Sequence, residues 1–177
     1  MCTAGLPAYR EPVRLCLAPH ARYAASPLAG VKVTSWLPNV WQLQEAQRRG
    51  FDEALLLNER GEVAECTSAN LFCFRDGRVL TPPLSSGCLQ GVTRSILLEI
   101  APQAGLPIIE QALRPEDLYA ASEVFITSTN RSLIAVGEIE GHTVSSAPGP
   151  VTQKLEALFA GFMDEYVARL AATTPGR

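Results

Sequence analysis

Apolar and polar positions alternate over Val13-Arg14-Leu15-Cys16-Leu17, which predicts a strand. Tyr23 to Gly30 is small, proline-containing and loop-like. Between Trp36 and Arg49 the apolar residues Trp36, Leu37, Val40, Trp41 and Leu43 predict a helix, with Pro38 tolerated near its start and Gly50 placed to end it. Strands follow at Glu53–Leu57 and, past the turn Asn58-Glu59-Arg60-Gly61, at Glu62–Ala64. Leu71–Phe74 and Val79–Thr81 flank the turn signal Asp76-Gly77. Such close succession reads as an antiparallel meander. A Pro/Ser/Gly loop over Pro82–Gly91 leads into a helix from Val92 to Ala104, closed by Gly105. Then come a strand at Ile108-Ile109, a short helix at Pro115–Ala120, a strand at Glu123–Ile126, a polar loop at Thr127–Ser132 and a strand at Leu133–Ile139. After Pro148-Gly149-Pro150, apolar residues from Val151 through Leu155, Leu158, Phe159 and Phe162 to Val167 recur at helical spacing. Residues 1–12 are expected to be an unanchored start and 171–177 a frayed tail.

No repeat, linker or charge block divides the 177 residues, so the pattern predicts one α+β domain of mixed strands with flanking helices. A hydrophobic fraction of 47% and a net charge of −3 are incompatible with general disorder and give no basic surface for nucleic acid. The five cysteines are odd in number and irregularly spaced, without CxxC, and His20 and His142 are far apart. This argues against a zinc site or disulfide framework and for small buried thiols in a reducing cytosol. The residues after Met1 lack a signal-peptide pattern, and the longest uncharged run, Val79–Thr93, is too broken to span a membrane.

Composition matters most in the basic residues: of 15, only Lys32 and Lys154 are lysines. Chemistry needing a deprotonatable amine has two candidates. Nucleotide-binding glycine loops and a serine-nucleophile elbow are absent. The acidic pairs Asp52-Glu53 and Asp164-Glu165 read as solvated surface, and His142 as exposed loop. Three polar clusters resist a purely structural account. Lys32 sits in the small apolar stretch Leu28–Thr34. Glu65 stands alone among the small residues of Glu65–Asn70. Leu89-Gln90-Gly91-Val92-Thr93-Arg94 begins a helix, whose free N–H groups and positive dipole end suit an anion. Thr127-Ser128-Thr129-Asn130 adds hydroxyl donors. Each has a plain alternative: a snorkelling lysine, a strand-end carboxylate, a helix-terminal hydroxyl. Together, an amine for a Schiff base, a carboxylate for a pyridine nitrogen and a phosphate cradle point to pyridoxal 5'-phosphate.

The order and spacing of Asp52–Leu57, Glu65–Phe72, Thr81-Pro82-Pro83-Leu84 and Gly91-Val92-Thr93-Arg94 resemble the class IV aminotransferases, the fold-type-IV pyridoxal phosphate enzymes. That family includes branched-chain and D-amino acid aminotransferases and 4-amino-4-deoxychorismate lyase. The resemblance runs from Pro27 to Ile139. It implies the large C-terminal domain of the D-amino acid aminotransferase-like fold over residues 1–177. By the same resemblance Lys32 is the Schiff-base lysine, a role for which it is expected to be buried. Glu65 is the partner of the pyridine nitrogen, and Leu89 packs on the ring. Gly91, Val92, Thr93, Ser128 and Thr129 hold the phosphate. Lys154 matches no functional position.

There are departures. Glu65-Cys66 replaces a common Glu-Gly, Asn70 is kept, and Ser35-Trp36 replaces an Asn or Tyr followed by an apolar residue. The chain begins just before the lysine strand, so the expectation from the resemblance is a chain without the family's N-terminal small domain. Arg10, Arg14 and Arg22 match no phosphate-binding arginine. The resemblance implies a cytoplasmic homodimer that transfers an amino group between an amino acid and a 2-oxo acid. Glu65-Cys66 and Ala69–Phe72 also suit the lyase. Loss of the small domain would suit a truncated, non-catalytic binding or dimerisation module.

Overall fold

The structure, a computed structural model, describes residues 12–173. All but residue 12 of the expected unanchored start and most of the expected frayed tail lie outside these residues, as do Cys2 and Arg10. Ala171–Thr173 are helical.

Among the described residues, nine strands form one mixed sheet: β1 (Val13–Ala18), β2 (Glu53–Leu57), β3 (Val63–Cys66), β4 (Asn70–Arg75), β5 (Arg78–Thr81), β6 (Ile108–Glu110), β7 (Glu123–Ser128), β8 (Ser132–Ile139) and β9 (His142–Thr143). The helices are α1 (Leu37–Arg48), α2 (Val92–Ile100), α3 (Pro115–Tyr119) and α4 (Pro150–Thr173). The strands lie in the order β3-β2-β1-β8-β7-β4-β5-β6, with β9 on β8. β1 and β2 are parallel and joined through α1, as parallel neighbours require a crossover. All five residues of β2 are buried, because the interior covers one face and Ala46 of α1 helps cover the other.

The expected meander is two separate hairpins. β2–β3 turns through Asn58–Gly61, where the Asn58 side-chain oxygen accepts the N–H groups of Arg60 (2.9 Å) and Glu62 (3.0 Å). β4–β5 turns through Asp76-Gly77, both at positive φ (51° and 74°), as a tight two-residue hairpin requires. β1, β8 and β7 lie between these hairpins, because β4 pairs with β7 rather than β3. In that register Phe72 is opposite Phe125, and their rings stack at 5.0 Å. The expected polar loop at Thr127–Ser132 also shrinks. Pairing of Ser128 with Ser132 extends both flanking strands into it.

Only three residues, Thr67–Ala69, join β3 to β4, although the strands stand five places apart. Five flat spacings would be about 24 Å, whereas the four backbone steps reach at most about 14 Å. The sheet must therefore curl. The curl encloses a cluster that includes Leu15, Leu55, Leu71, Val124, Ile126 and Val136. Alternate residues face outward. Phe72, Val79, Phe125 and Leu133 pack beneath α2 and α4 through Leu97 and Leu155, while Cys16, Ala54 and Leu56 meet Ala46. Helix α1 departs from its expected packing, since Leu37 and Trp41 are exposed and Ala46 is its buried residue. Towards the end of α4, Val167 and Leu170 are exposed as well.

Candidate functional site

The curl brings distant segments around one cavity of about 890 Å³. Its wall includes every residue expected at the site: Lys32, Glu65, Leu89, Gly91, Val92, Thr93, Ser128 and Thr129. Lys32 comes from the irregular stretch before α1, Glu65 from β3, and Leu89 to Thr93 from the loop and first turn of α2. Ser128 and Thr129 come from the end of β7. The strand expected around Lys32 does not form. Val31 and Val33 are exposed and line the cavity, and Lys32 itself is exposed there rather than buried as its expected chemistry required.

Glu65 is 8% exposed, and both carboxylate oxygens have partners. Oε1 accepts from Arg22 Nη2 at 2.8 Å, and Oε2 accepts the Leu89 N–H at 2.9 Å. Burial pushes its pKa upward, against the Arg22 charge, the Leu89 N–H and the Lys32 ammonium, which favour the anion. Arg22 matches no motif in the sequence. No local motif links it to Glu65, which is 43 residues away. Arg14 contacts Asp52 on the exposed side.

The opposite wall is built to receive an anion. Gly91 starts α2 in an extended conformation, and no side chain caps the helix, so its first N–H groups open towards the cavity. A Cβ at Gly91 would overlap Asn70 Oδ1. Asn70 also donates from Nδ2 to the Leu89 carbonyl at 2.8 Å, so the preserved asparagine shapes this loop. Arg94, 2% exposed, anchors the start of α2 through the Pro82 carbonyl (2.9 Å) and Glu110. Thr127, not among the expected site residues, also lines the cavity. Its buried Oγ1 has no hydrogen-bond partner among the described residues.

Cys66 faces the interior cluster with a thiol pushed well above its usual range by burial, so it does not alter the cavity wall. Ser35 and Trp36, by contrast, do line the cavity. Cys16, Cys73 and Cys88 are likewise buried and free. Lys154 is exposed and donates to the Ala104 carbonyl at 3.0 Å. His142 is exposed and stacks on Tyr119 at 3.9 Å. One acidic residue breaks the surface expectation: Glu53 is 1% exposed, because its carboxylate receives several internal donors. Among the described residues, no helix is long and apolar enough to cross a membrane.

Comparison with known proteins agrees with this geometry. The sequence model of the class IV amino-transferase family matches residues 3–139. The branched-chain-amino-acid aminotransferase of Escherichia coli is 34% identical over 136 residues, covering 76% of this chain and 44% of that protein. The branched-chain amino acid aminotransferase of Thermobaculum terrenum, solved in its PLP holo form, superposes with a TM-score of 0.80 at 27% identity. That match covers 86% of this chain and 52% of that one. A Legionella pneumophila protein assigned as a 4-amino-4-deoxychorismate lyase gives a TM-score of 0.84 at 28% identity, over 88% and 57% of the two chains. The chain spans about half the length of the curated relatives it matches. With the family pattern covering most of its length and the cavity assembled from the family's motifs, the chain belongs to the class IV aminotransferases.

Proposed function

We propose that residues 1–177 are the cofactor-binding domain of a pyridoxal phosphate-dependent enzyme that moves an amino group between an amino acid and a 2-oxo acid. The observation that carries this reading is the shared cavity, where the Lys32 amine, the Glu65 carboxylate and the uncapped start of α2 meet. The residues fit the cofactor: the Thr127 hydroxyl has no partner among the described residues, and no side chain caps the anion-receptive helix start. Bound pyridoxal 5'-phosphate supplies an electron sink for bond cleavage at the substrate α-carbon.

The chain's own groups hold and serve that cofactor. Lys32 would anchor it through Nζ and then move a proton at the substrate α-carbon. Glu65, whose anionic form Arg22 and the Leu89 N–H favour against the effect of burial, would hold the proton on the ring nitrogen. Leu89 would cover a ring face. Gly91, the N–H groups of Val92 and Thr93, and the hydroxyls of Thr93, Ser128 and Thr129 would bind the phosphate. We place the enzyme in the cytoplasm on the free, buried cysteines among the described residues, and as a homodimer on the exposed apolar side chains Val33, Trp36, Leu37 and Trp41 near the cavity and on α1. The Legionella neighbour and the Glu65-Cys66 pair favour a second reading, a lyase releasing pyruvate from a chorismate-derived amine.

Purified, buffer-exchanged protein is scanned for cofactor absorbance with and without added pyridoxal 5'-phosphate. A bound-cofactor band that disappears in Lys32→Ala is expected. No absorbance above that variant, even with added cofactor, overturns both enzymatic readings. Transamination of an amino acid panel with 2-oxoglutarate, set against pyruvate release from aminodeoxychorismate, separates them.

A further inference from the structure

We propose that Glu53 is a positioning residue that sets the spacing between the ring-holding and phosphate-holding walls of the cavity. The inference rests on the cofactor reading above. Glu53 opens β2 and is 1% exposed, a placement unfavourable for a carboxylate unless its oxygens are satisfied. Here they are satisfied from two walls. Oε1 accepts the Ala54 N–H (3.0 Å), the Thr67 N–H (3.2 Å) and the Thr67 hydroxyl. Oε2 accepts the Ser68 hydroxyl at 2.9 Å and faces the Arg131 guanidinium at 3.6 Å.

Thr67 and Ser68 directly follow Glu65-Cys66 and line the cavity on the ring side. Arg131 follows Thr129-Asn130, which line it on the phosphate side. The two segments are more than 60 residues apart in sequence, and one buried carboxylate holds both. The Thr67 carbonyl extends the link by accepting Asn39 Nδ2 at 2.6 Å, tying in the first turn of α1. Glu53→Gln keeps the volume but turns one acceptor oxygen into an amide that donates, facing hydroxyl donors and a cation.

The test compares pyridoxal 5'-phosphate with pyridoxal, which has the same ring and no phosphate, through the absorbance of each bound to the full chain. A residue that merely supports the fold changes both affinities together. One that sets the spacing between walls changes their ratio. Wild type is expected to prefer the phosphate form, and Glu53→Gln to reduce that preference by about tenfold or more, as loss of hydrogen bonds to a charged group implies. Thr67→Val, which removes one of those bonds, should move the ratio in the same direction and decides the matter if Glu53→Gln does not fold. Leu155→Ala, in the outer cluster that packs α4, should lower the melting temperature and leave the ratio unchanged. An unchanged ratio in Glu53→Gln, or a wild type that binds both forms equally, overturns this inference alone. A wild type that binds neither overturns the cofactor reading with it.

Discussion

At the scale of single residues, the site depends on how a few charges are held out of water. Glu65 is caught between burial, which raises its pKa, and Arg22, the strongest influence lowering it. Removing Arg22 leaves burial less opposed, so the carboxyl becomes harder to ionise. In Arg22→Met, the acid limb of kcat/KM against pH is therefore expected to move to higher pH, because the ionised Glu65 serves the ring nitrogen. An unmoved limb would show that Arg22 has no such hold. Lys32 and Glu65 were legible in the sequence because each stands alone among small or apolar neighbours. Arg22 and Glu53 were not. Arg22's partner is 43 residues away and those of Glu53, beyond the adjacent Ala54 N–H, are 14 or more, and Glu53 beside Asp52 looks like any solvated acidic pair.

At the scale of elements, the turns carry the loops that carry the site. Glu62 closes the β2–β3 turn, with Oε2 bonded by Arg60 Nη2 (2.7 Å), Asn58 Nδ2 (2.9 Å) and Ser86 Oγ (3.1 Å). These donors pull its pKa from 4.5 down to about 2. Ser86 lies in the loop leading to Leu89 and Gly91, so this one carboxylate braces the approach to α2. A depressed pKa adds stability above pH 4.5 that fades as pH falls towards 2. Glu62→Gln should thus cost about 1–3 kcal/mol at pH 7, several degrees of melting temperature. The gap to wild type should close between pH 4.5 and 2. A gap independent of pH would assign the effect to packing instead. Most elements themselves were readable from periodicity and turn residues: Asp76-Gly77 and Asn58–Gly61 mark their hairpins plainly. The apolar residues of α1 were readable too, but not the face they present, since Leu37 and Trp41 lie exposed.

At the scale of the whole molecule, the exposed apolar side chains near the cavity and on α1 bear on assembly. If the proposed dimer covers them, light scattering should return twice the chain mass, and Trp41→Glu should shift it towards one chain. A wild type that scatters as a single chain would count against the dimer. What the sequence determined by itself is local: strand and helix periods, turn residues, and the isolated amine, carboxylate and helix start, each specified by neighbours within a few positions. The tertiary structure alone decided which hairpins lie side by side, that Lys32 is exposed, and that Glu53 is buried between two walls. Those outcomes depend on the curl of the sheet. The curl follows from β4 pairing with β7 while only three residues tether it to β3, a long-range choice of partner that no local pattern encodes.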